Sequence, residues 1–131
     1  MRGCTVELRS GLRVGYYAIY YPTTITDTGV TVHFLLIYDL APDYLERRAE
    51  FRNEHLRLAW EAQERGEMVL AGALDEPADR AMLLFDVDSP EVPQLFAAKD
   101  PYVTHGLVRA FHVRRWNTVV GDLAGNPVRP E

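Results

Sequence analysis

The sequence predicts an α+β fold in which strands and helices follow one another in the order β-α-β-β-α-β. Three observations lead to this prediction. Apolar, β-prone runs lie near both ends of the patterned region, two segments open with helix-start residues, and a polar turn separates two further strand-like runs. The chain has 131 residues, which is the length of one domain.

The first half of the patterned region predicts a buried strand followed by a long helix. Residues 31–38 (TVHFLLIY) are β-prone and mostly apolar, as in a largely buried strand. Pro42 and Asp43 form a helix start, because proline and acidic residues are favoured in a first turn. The helix is predicted over residues 43–65 and ends at Gly66. Its apolar stripe is predicted from residues spaced 3, 4 or 7 apart: Leu45, Ala49, Leu56, Ala59 and Gln63.

The second half predicts a hairpin, a short helix and a last strand. Residues 67–74 and 80–87 are strand-like runs joined by a polar turn. Ser89 and Pro90 begin a helix as its N-cap and its first residue. Residues 107–119 then form a long fourth strand. This order is the ferredoxin-like arrangement, with both helices on one face of a four-stranded antiparallel sheet.

The second face of the predicted sheet has no helix to cover it. The first strand is apolar on both sides, and a single helical layer buries only one of them. We therefore expect a homodimer that packs sheet to sheet through isologous contacts. An alternative remains open, in which the aromatic residues 15–21 (GYYAIYY) cover that face within the monomer.

Residues 1–29 and 121–131 differ in composition from the rest, so the domain is predicted over residues 30–120. The first segment lacks the charged and apolar regions of a secretory signal. It is an extra strand, a mobile arm, or an extension absent from the native protein, in which case translation starts near Val30. The Gly- and Pro-rich last segment is predicted to be a mobile tail.

Composition and charge disfavour several classes of function. A net charge of −5 is unusual for a nucleic-acid-binding protein, and no apolar run reaches the length of a membrane span. A single cysteine, Cys4, allows no intrachain disulfide and no cysteine zinc cluster. Phosphate-binding glycine loops and the HExxH metal motif are absent from the sequence. We expect a cytoplasmic protein that needs no cofactor or metal and binds a small molecule.

Histidine is the first residue type to weigh, because it titrates near neutral pH. His55 lies in the long helix at the edge of its predicted stripe, one turn after Arg52, and is a site candidate or a core-edge side chain. His33 and His112 lie in strands, where each is a hydrogen-bonded sheet residue or a pocket residue. His105 follows a loop and is expected to be solvated.

Asp100 is the second candidate residue. It stands where the second helix ends, and the negative end of a helix dipole disfavours a carboxylate. Such a placement suggests a compensating role for the side chain. The alternative is that Asp100 makes a common Asx-turn before Pro101.

Three short motifs occur in order along the patterned region. They are residues 52–56 (RNEHL), residues 66–72 (GEMVLAG), and residues 100–102 (DPY). In this order and at these distances they resemble the YciI-like (YCII-related domain) family. The resemblance covers about residues 30–118.

The resemblance implies a ferredoxin-like chain that associates as a dimeric α+β barrel. It also implies an active site with a His–Asp dyad, whose positions match His55 and Asp100 of this chain. Most members have no established reaction, whereas one relative is a cofactor-independent dehydrochlorinase of a hydroxyquinol. Residues 1–29 have no counterpart in the family pattern.

Residue types and resemblance together predict a cofactor-independent enzyme. His55 would act as general acid and base, which typically contributes about 10²–10⁴-fold to a rate. Asp100 would hydrogen-bond the imidazole and fix its tautomer. Arg52 would bind an anionic group of the substrate, and Tyr102 and Gly72 complete the predicted substrate-binding residues. Such a site fits elimination, isomerisation or lactone chemistry on a small cyclic or aromatic substrate.

Two other functions are compatible with the same residues. The cleft could hold a small molecule without turnover, as a binding or regulatory module. A haem-binding monooxygenase of the same barrel shape is a weaker alternative, which would need a histidine axial ligand in an open apolar pocket.

Overall fold

Four antiparallel strands form the sheet of the computed structural model, which describes residues 31–131. The strands are β1 (His33–Leu40), β2 (Met68–Ala73), β3 (Arg80–Asp86) and β4 (Val108–Trp116), in the spatial order β2-β3-β1-β4. The expectations for residues 1–29 fall outside the described residues.

Three helices complete the domain. They are α1 (Tyr44–Glu64), α2 (Glu91–Lys99) and the single turn α3 (Pro101–Thr104). The predicted β-α-β-β-α-β order and the ferredoxin-like arrangement are confirmed. The turn α3 is an addition to the prediction, and it exists because Asp100 caps it while Pro101 occupies its first position.

The core lies between the helices and one face of the sheet. Alternate residues of β1 point into it, as a strand requires, and its central members Leu36 and Tyr38 are fully buried. Phe85 of β3 and Phe96 of α2 meet edge to face across this layer, with ring centroids 5.7 Å apart. The core therefore fixes α1, α2 and α3 on the same side of the sheet.

The predicted apolar stripe of α1 is correct at Ala59, which packs against the core, but most of the core-facing side is turned by about one residue, or about 100°. Leu45 is 58% exposed, whereas Tyr44 is buried and Phe51 packs against the core. The aromatic side chains determine the rotation of the helix, because each buries more apolar area than a leucine or an alanine. His55 therefore lies on the core-facing side of the helix rather than at the edge of its apolar stripe.

The opposite face of the sheet carries a row of half-buried apolar side chains along its central strands. Leu35 and Ile37 of β1 pair with Leu84 and Met82 of β3, which places all four on this face. Within residues 31–131, the helices lie against the other face. We call this row of four the outer patch.

The chain after β4 returns over one end of β1. The Thr118 hydroxyl lies 2.6 Å from Nδ1 of His33 and accepts a hydrogen bond of 2.8 Å from the backbone N–H of Gly125. A Cβ atom at Gly125 would lie 2.4 Å from the carbonyl oxygen of Thr31, so this close approach requires glycine. His33 is thus a hydrogen-bonded sheet residue, and the predicted mobility of residues 121–131 stays a prediction.

Within the described part of the chain, no helix is both long and apolar enough to cross a bilayer.

Candidate active site

Asp100 occupies the junction between α2 and α3 and is fully buried, with 0% of its surface exposed. Its backbone is extended, at φ −71° and ψ 122°, because the following proline disfavours a helical conformation. Its Oδ1 atom accepts a hydrogen bond of 3.0 Å from the backbone N–H of Tyr102. The local turn role that the sequence suggested for Asp100 is therefore present.

The same carboxylate also binds a histidine far along the chain. Nδ1 of His55 lies 2.9 Å from Oδ1 and 3.0 Å from Oδ2 of Asp100. Since an ionised carboxylate only accepts hydrogen bonds, Nδ1 carries the proton and Nε2 holds the free lone pair. The two roles weighed as alternatives for Asp100 thus coexist in one side chain.

Tyr38 supplies a third donor, which the sequence analysis did not identify. Its hydroxyl donates a hydrogen bond of 2.7 Å to Oδ2 of Asp100 from the middle of β1. Burial, together with the negative charge of Asp100, raises the pKa of Tyr38 far above its usual range. The phenol therefore keeps its proton and remains a donor. A buried tyrosine needs a partner for its hydroxyl, and this was the available signal in the sequence.

Aromatic rings hold the imidazole of His55 in place. The ring of Tyr102 stacks on it at a centroid distance of 3.9 Å and an interplanar angle of 12°. Phe96 contacts it edge-on at 6.5 Å, and Tyr44 meets Tyr102 edge-on at 5.6 Å. These contacts, together with Asp100, leave the imidazole one orientation.

A cavity of about 370 Å³ lies between α1 and the strands β2, β3 and β1, and His55 forms part of its wall. Most of the wall is apolar, and it includes Leu56, Trp60, Met68 and Leu70. The residues of the stripe predicted for α1 that contact this space are Leu56, Ala59 and Gln63. Leu56 and Gln63 thus belong to the cavity wall, whereas Ala59 contacts both the cavity and the core.

The structure brings the predicted site residues together. Arg52, Tyr102 and Gly72 line the cavity with His55, whereas Asp100 lies buried behind the imidazole. A Cβ atom at Gly72 would meet nothing within 4 Å, so the backbone does not require glycine there. The roles assigned to these residues remain predictions.

Tyr102 adds a neutral donor to the site. Burial raises the pKa of Tyr102 to about 12, although the positive charges of Arg52 and Arg48 act in the opposite direction. Its hydroxyl is therefore protonated at neutral pH. Both arginine charges act on the ring that stacks on His55, which places them on the same side of α1.

The remaining histidines lie outside the cavity wall. His112 is on the outer face of the sheet, where Nε2 lies 3.5 Å from Oδ2 of Asp39. The ring of His105 stacks on Phe51 at 4.3 Å. His33 is held by Thr118. Among the histidines, His55 alone combines a buried carboxylate partner with a cavity.

Comparison with protein families agrees with the fold and with the motifs. The model of the YCII-related domain matches residues 32–117, which is more than half of the chain. No curated protein matches the chain.

Solved structures of similar fold come from several organisms. One is 5-chloro-2-hydroxyhydroquinone dehydrochlorinase (TftG) from Burkholderia phenoliruptrix AC1100, in complex with 2,5-dihydroxybenzoquinone. It has a TM-score of 0.56 and 21% identity, over 66% of this chain and 94% of that chain. A NIPSNAP family protein from Agrobacterium tumefaciens str. C58 has a TM-score of 0.46 and 14% identity. The match covers 76% of this chain and 99% of that protein. A dimeric ferredoxin-like protein from an uncultured marine organism has a TM-score of 0.43 and 17% identity. That match covers 68% of this chain and 89% of the other.

Proposed function

The chain belongs to the YCII-related domain family, and we propose that it is a cofactor-independent enzyme that moves a proton on a small cyclic or aromatic substrate. One observation carries this proposal. The imidazole of His55, held at 2.9 Å by the buried carboxylate of Asp100, forms part of the wall of a largely apolar cavity. Geometry of this kind positions one basic nitrogen against a bound ring.

His55 acts as base and then as acid. Nε2 accepts a proton from a carbon or a hydroxyl of the substrate, and the electron pair of the broken C–H or O–H bond moves into the substrate. In an isomerisation this pair takes the proton back from the imidazolium at another carbon. In an elimination it expels a leaving group from a carbon next to that bond or conjugated with it, and the imidazolium then gives its proton to solvent. General acid–base catalysis of this kind contributes about 10²–10⁴-fold.

Asp100 is a positioning residue in this mechanism. Its carboxylate holds the Nδ1 proton of His55 and stabilises the imidazolium that forms when Nε2 is protonated. Tyr38 and the backbone N–H of Tyr102 hold the carboxylate in turn. The network thus keeps the base in one tautomer and one orientation before substrate binds.

The shared fold supports the choice of reaction class. TftG is named as a dehydrochlorinase of a chlorinated hydroxyhydroquinone, and loss of HCl from a ring is an elimination. We extend to this chain the class of chemistry and leave its substrate open. Lactone chemistry at a ring carbon needs the same base and belongs to the same proposal.

The proposal is tested by turnover of ring-shaped substrates. 5-Chloro-2-hydroxyhydroquinone is the first probe, with chloride release as the readout, followed by a panel of cyclic lactones and aromatic acids. Turnover should be lost in His55→Gln and retained in the matched control His112→Gln. Unchanged turnover in His55→Gln would refute the assignment, and ligand binding without any product would favour the non-catalytic module.

We also propose that the enzyme is a homodimer whose copies meet through the outer patch. Its four apolar side chains form a continuous row across β1 and β3, and a second copy would bury them symmetrically. Ile37→Glu should give a monomer by size-exclusion chromatography with light scattering. The control is Leu45→Glu on the exposed side of α1, which should stay dimeric. A monomeric wild-type protein would overturn the proposal.

A further inference from the structure

Two arginines of α1, Arg48 and Arg52, line the cavity together with His55. Neither makes an ion pair with a carboxylate in the part of the chain that the structure describes. They are four residues apart and therefore neighbours on one face of the helix. Two like charges at this spacing repel each other unless an anion lies between them.

The other arginines of the same helix show the contrast. Arg47 pairs with Asp43 at 3.9 Å, and Arg57 pairs with Glu61 at 2.7 Å. Both point away from the cavity, since neither is part of its wall. Within residues 31–131, the helix thus neutralises its outward arginines with carboxylates and leaves the two that face the cavity without one.

Arg48 is held toward the cavity by an aromatic ring. Its guanidinium carbon lies 5.7 Å from the centroid of Tyr44, which is buried and also lines the cavity. Its charge and that of Arg52 both act on the phenol of Tyr102, the ring stacked on the imidazole. Both arginines therefore line the same cavity as the candidate base.

We infer that Arg48 and Arg52 bind the acidic group of the substrate, and that this substrate is a monocyclic carboxylate. Two adjacent guanidinium groups suit a carboxylate, whose two oxygens can accept from both. Most of the remaining wall is apolar, as the ring of such a ligand requires. A neutral phenol or lactone would leave the paired charges unsatisfied.

The length of the ligand follows from helix geometry. Arg52 lies three residues before His55, which corresponds to about 4.5 Å along the helix axis. A ligand with a single six-membered ring can therefore place its carboxylate substituent at Arg52 and a reacting ring carbon at Nε2 of His55. Arg48 lies one turn further from His55, about 6 Å before Arg52 along the axis, and its side chain has the same length, so the carboxylate is expected between the two guanidinium groups.

The inference rests on the proposed function for the identity of the site, and ligand binding tests it separately from turnover. Benzoate is the probe and benzamide its neutral counterpart, each titrated by calorimetry into the full chain. Benzoate should bind and benzamide should bind at least about tenfold more weakly, because the amide lacks the charge. Equal affinity for the two probes, or no binding of benzoate by wild type, would overturn the inference.

Variants assign the affinity to the two side chains. Arg48→Gln and Arg52→Gln should each weaken benzoate binding by about tenfold, as expected for the loss of one charged hydrogen-bond donor. Arg57→Gln removes the same charge from the other side of the helix and should bind benzoate like wild type. Unchanged affinity in Arg48→Gln, with circular dichroism showing a folded chain, contradicts the two-arginine site.

His55→Gln separates this inference from the proposed function. This variant should lose turnover and keep its affinity for benzoate, because the carboxylate binds one turn away. If it keeps turnover while Arg48→Gln loses benzoate binding, the catalytic role of His55 fails and the anion site stands. If it loses turnover while Arg48→Gln binds benzoate normally, the anion site fails and the catalytic role stands.

Discussion

The domain contains two histidine–aspartate pairs, and they differ in almost every property except residue type. In the pair of His55 and Asp100, the atoms lie 2.9 Å apart, and the side chains are 15% and 0% exposed. In the pair of His112 and Asp39, Nε2 and Oδ2 lie 3.5 Å apart, and the side chains are 59% and 30% exposed. We call them the inner pair and the outer pair.

The surroundings of the two carboxylates explain the difference. Asp100 receives hydrogen bonds from Tyr38 and from the backbone of Tyr102 in addition to His55. Asp39 faces solvent and lies 3.4 Å from Nε of Arg80 on the neighbouring strand. A buried ion is costly unless donors surround it, whereas an exposed pair is screened by water and contributes little. The inner pair is therefore part of a buried hydrogen-bond network around Asp100, and the outer pair is a surface contact.

The largest expected difference between the pairs is in activity. His55→Gln should lower kcat by about 10²–10⁴-fold, the usual contribution of a general acid–base residue. His112→Gln should leave kcat within about twofold, because its imidazole is outside the cavity wall. Steady-state kinetics on any substrate identified by the panel gives both values. Equal losses in the two variants would remove the functional distinction between the pairs.

The next effect is on stability. Asp100→Ala should lower the free energy of unfolding by about 3 kcal/mol, because it leaves the Tyr38 hydroxyl and the Tyr102 N–H buried without an acceptor. Asp39→Ala should change it by about 0.5 kcal/mol or less, as for exposed ion pairs. Urea unfolding followed by circular dichroism measures both. Similar losses would mean that burial does not distinguish the two carboxylates.

A smaller effect isolates one donor of the inner pair. Tyr38→Phe keeps the ring in the core and removes only the hydroxyl that binds Asp100, so it should cost about 2 kcal/mol. Activity should fall less than in His55→Gln, since the backbone of Tyr102 still holds the carboxylate. If unfolding in urea shows no loss, the hydroxyl contributes nothing to the network.

Local patterns made the fold predictable, and the same patterns led to the error in α1. Strand alternation, the polar turn and Ser89 with Pro90 act over a few residues, so their order could be derived from the sequence. The rotation of α1 depends on the residues that Tyr44 and Phe51 contact across the core. The spacing of aliphatic residues along the helix does not show those contacts. A side chain at helical spacing can face a cavity as well as a core.

The site was predictable only where a motif marked it. His55 and Asp100 were each candidates by residue type and position, but only a resemblance joined them as a dyad, and their contact joins residues 45 positions apart. Tyr38 meets Asp100 across 62 positions and reads in the sequence as one more apolar strand residue. Arg48 is one of several arginines on α1, and only the structure shows which of them lack a carboxylate partner among residues 31–131. For tertiary contacts of this range, the sequence shows at most that a buried tyrosine hydroxyl needs a partner, and it does not show which residue that partner is.

The smallest expected effect is the response of the inner pair to alkaline pH. The pKa of Tyr38 is raised in the folded chain by burial and by Asp100, whereas the unfolded chain ionises tyrosine near its usual value of about 10. Its contribution to stability is therefore complete below pH 10 and is lost as the pH rises above it, because only the unfolded state releases the proton. The loss is about 1.4 kcal/mol for each pH unit above 10.

Comparison of wild type with Tyr38→Phe between about pH 8 and pH 11 separates the contribution of Tyr38 to the unfolding free energy from that of the other tyrosines. The gap in unfolding free energy between the two proteins should be constant up to about pH 10 and then narrow, because phenylalanine has no proton to lose. The outer pair provides the contrast, since His112→Gln removes no tyrosine and should follow the wild-type profile across the same range. A gap that stays constant through pH 11 would mean that the Tyr38 phenol ionises as readily in the folded chain as in the unfolded one. The buried tyrosine donor assigned to the inner pair would then be absent, and the backbone N–H of Tyr102 would be its remaining donor besides His55.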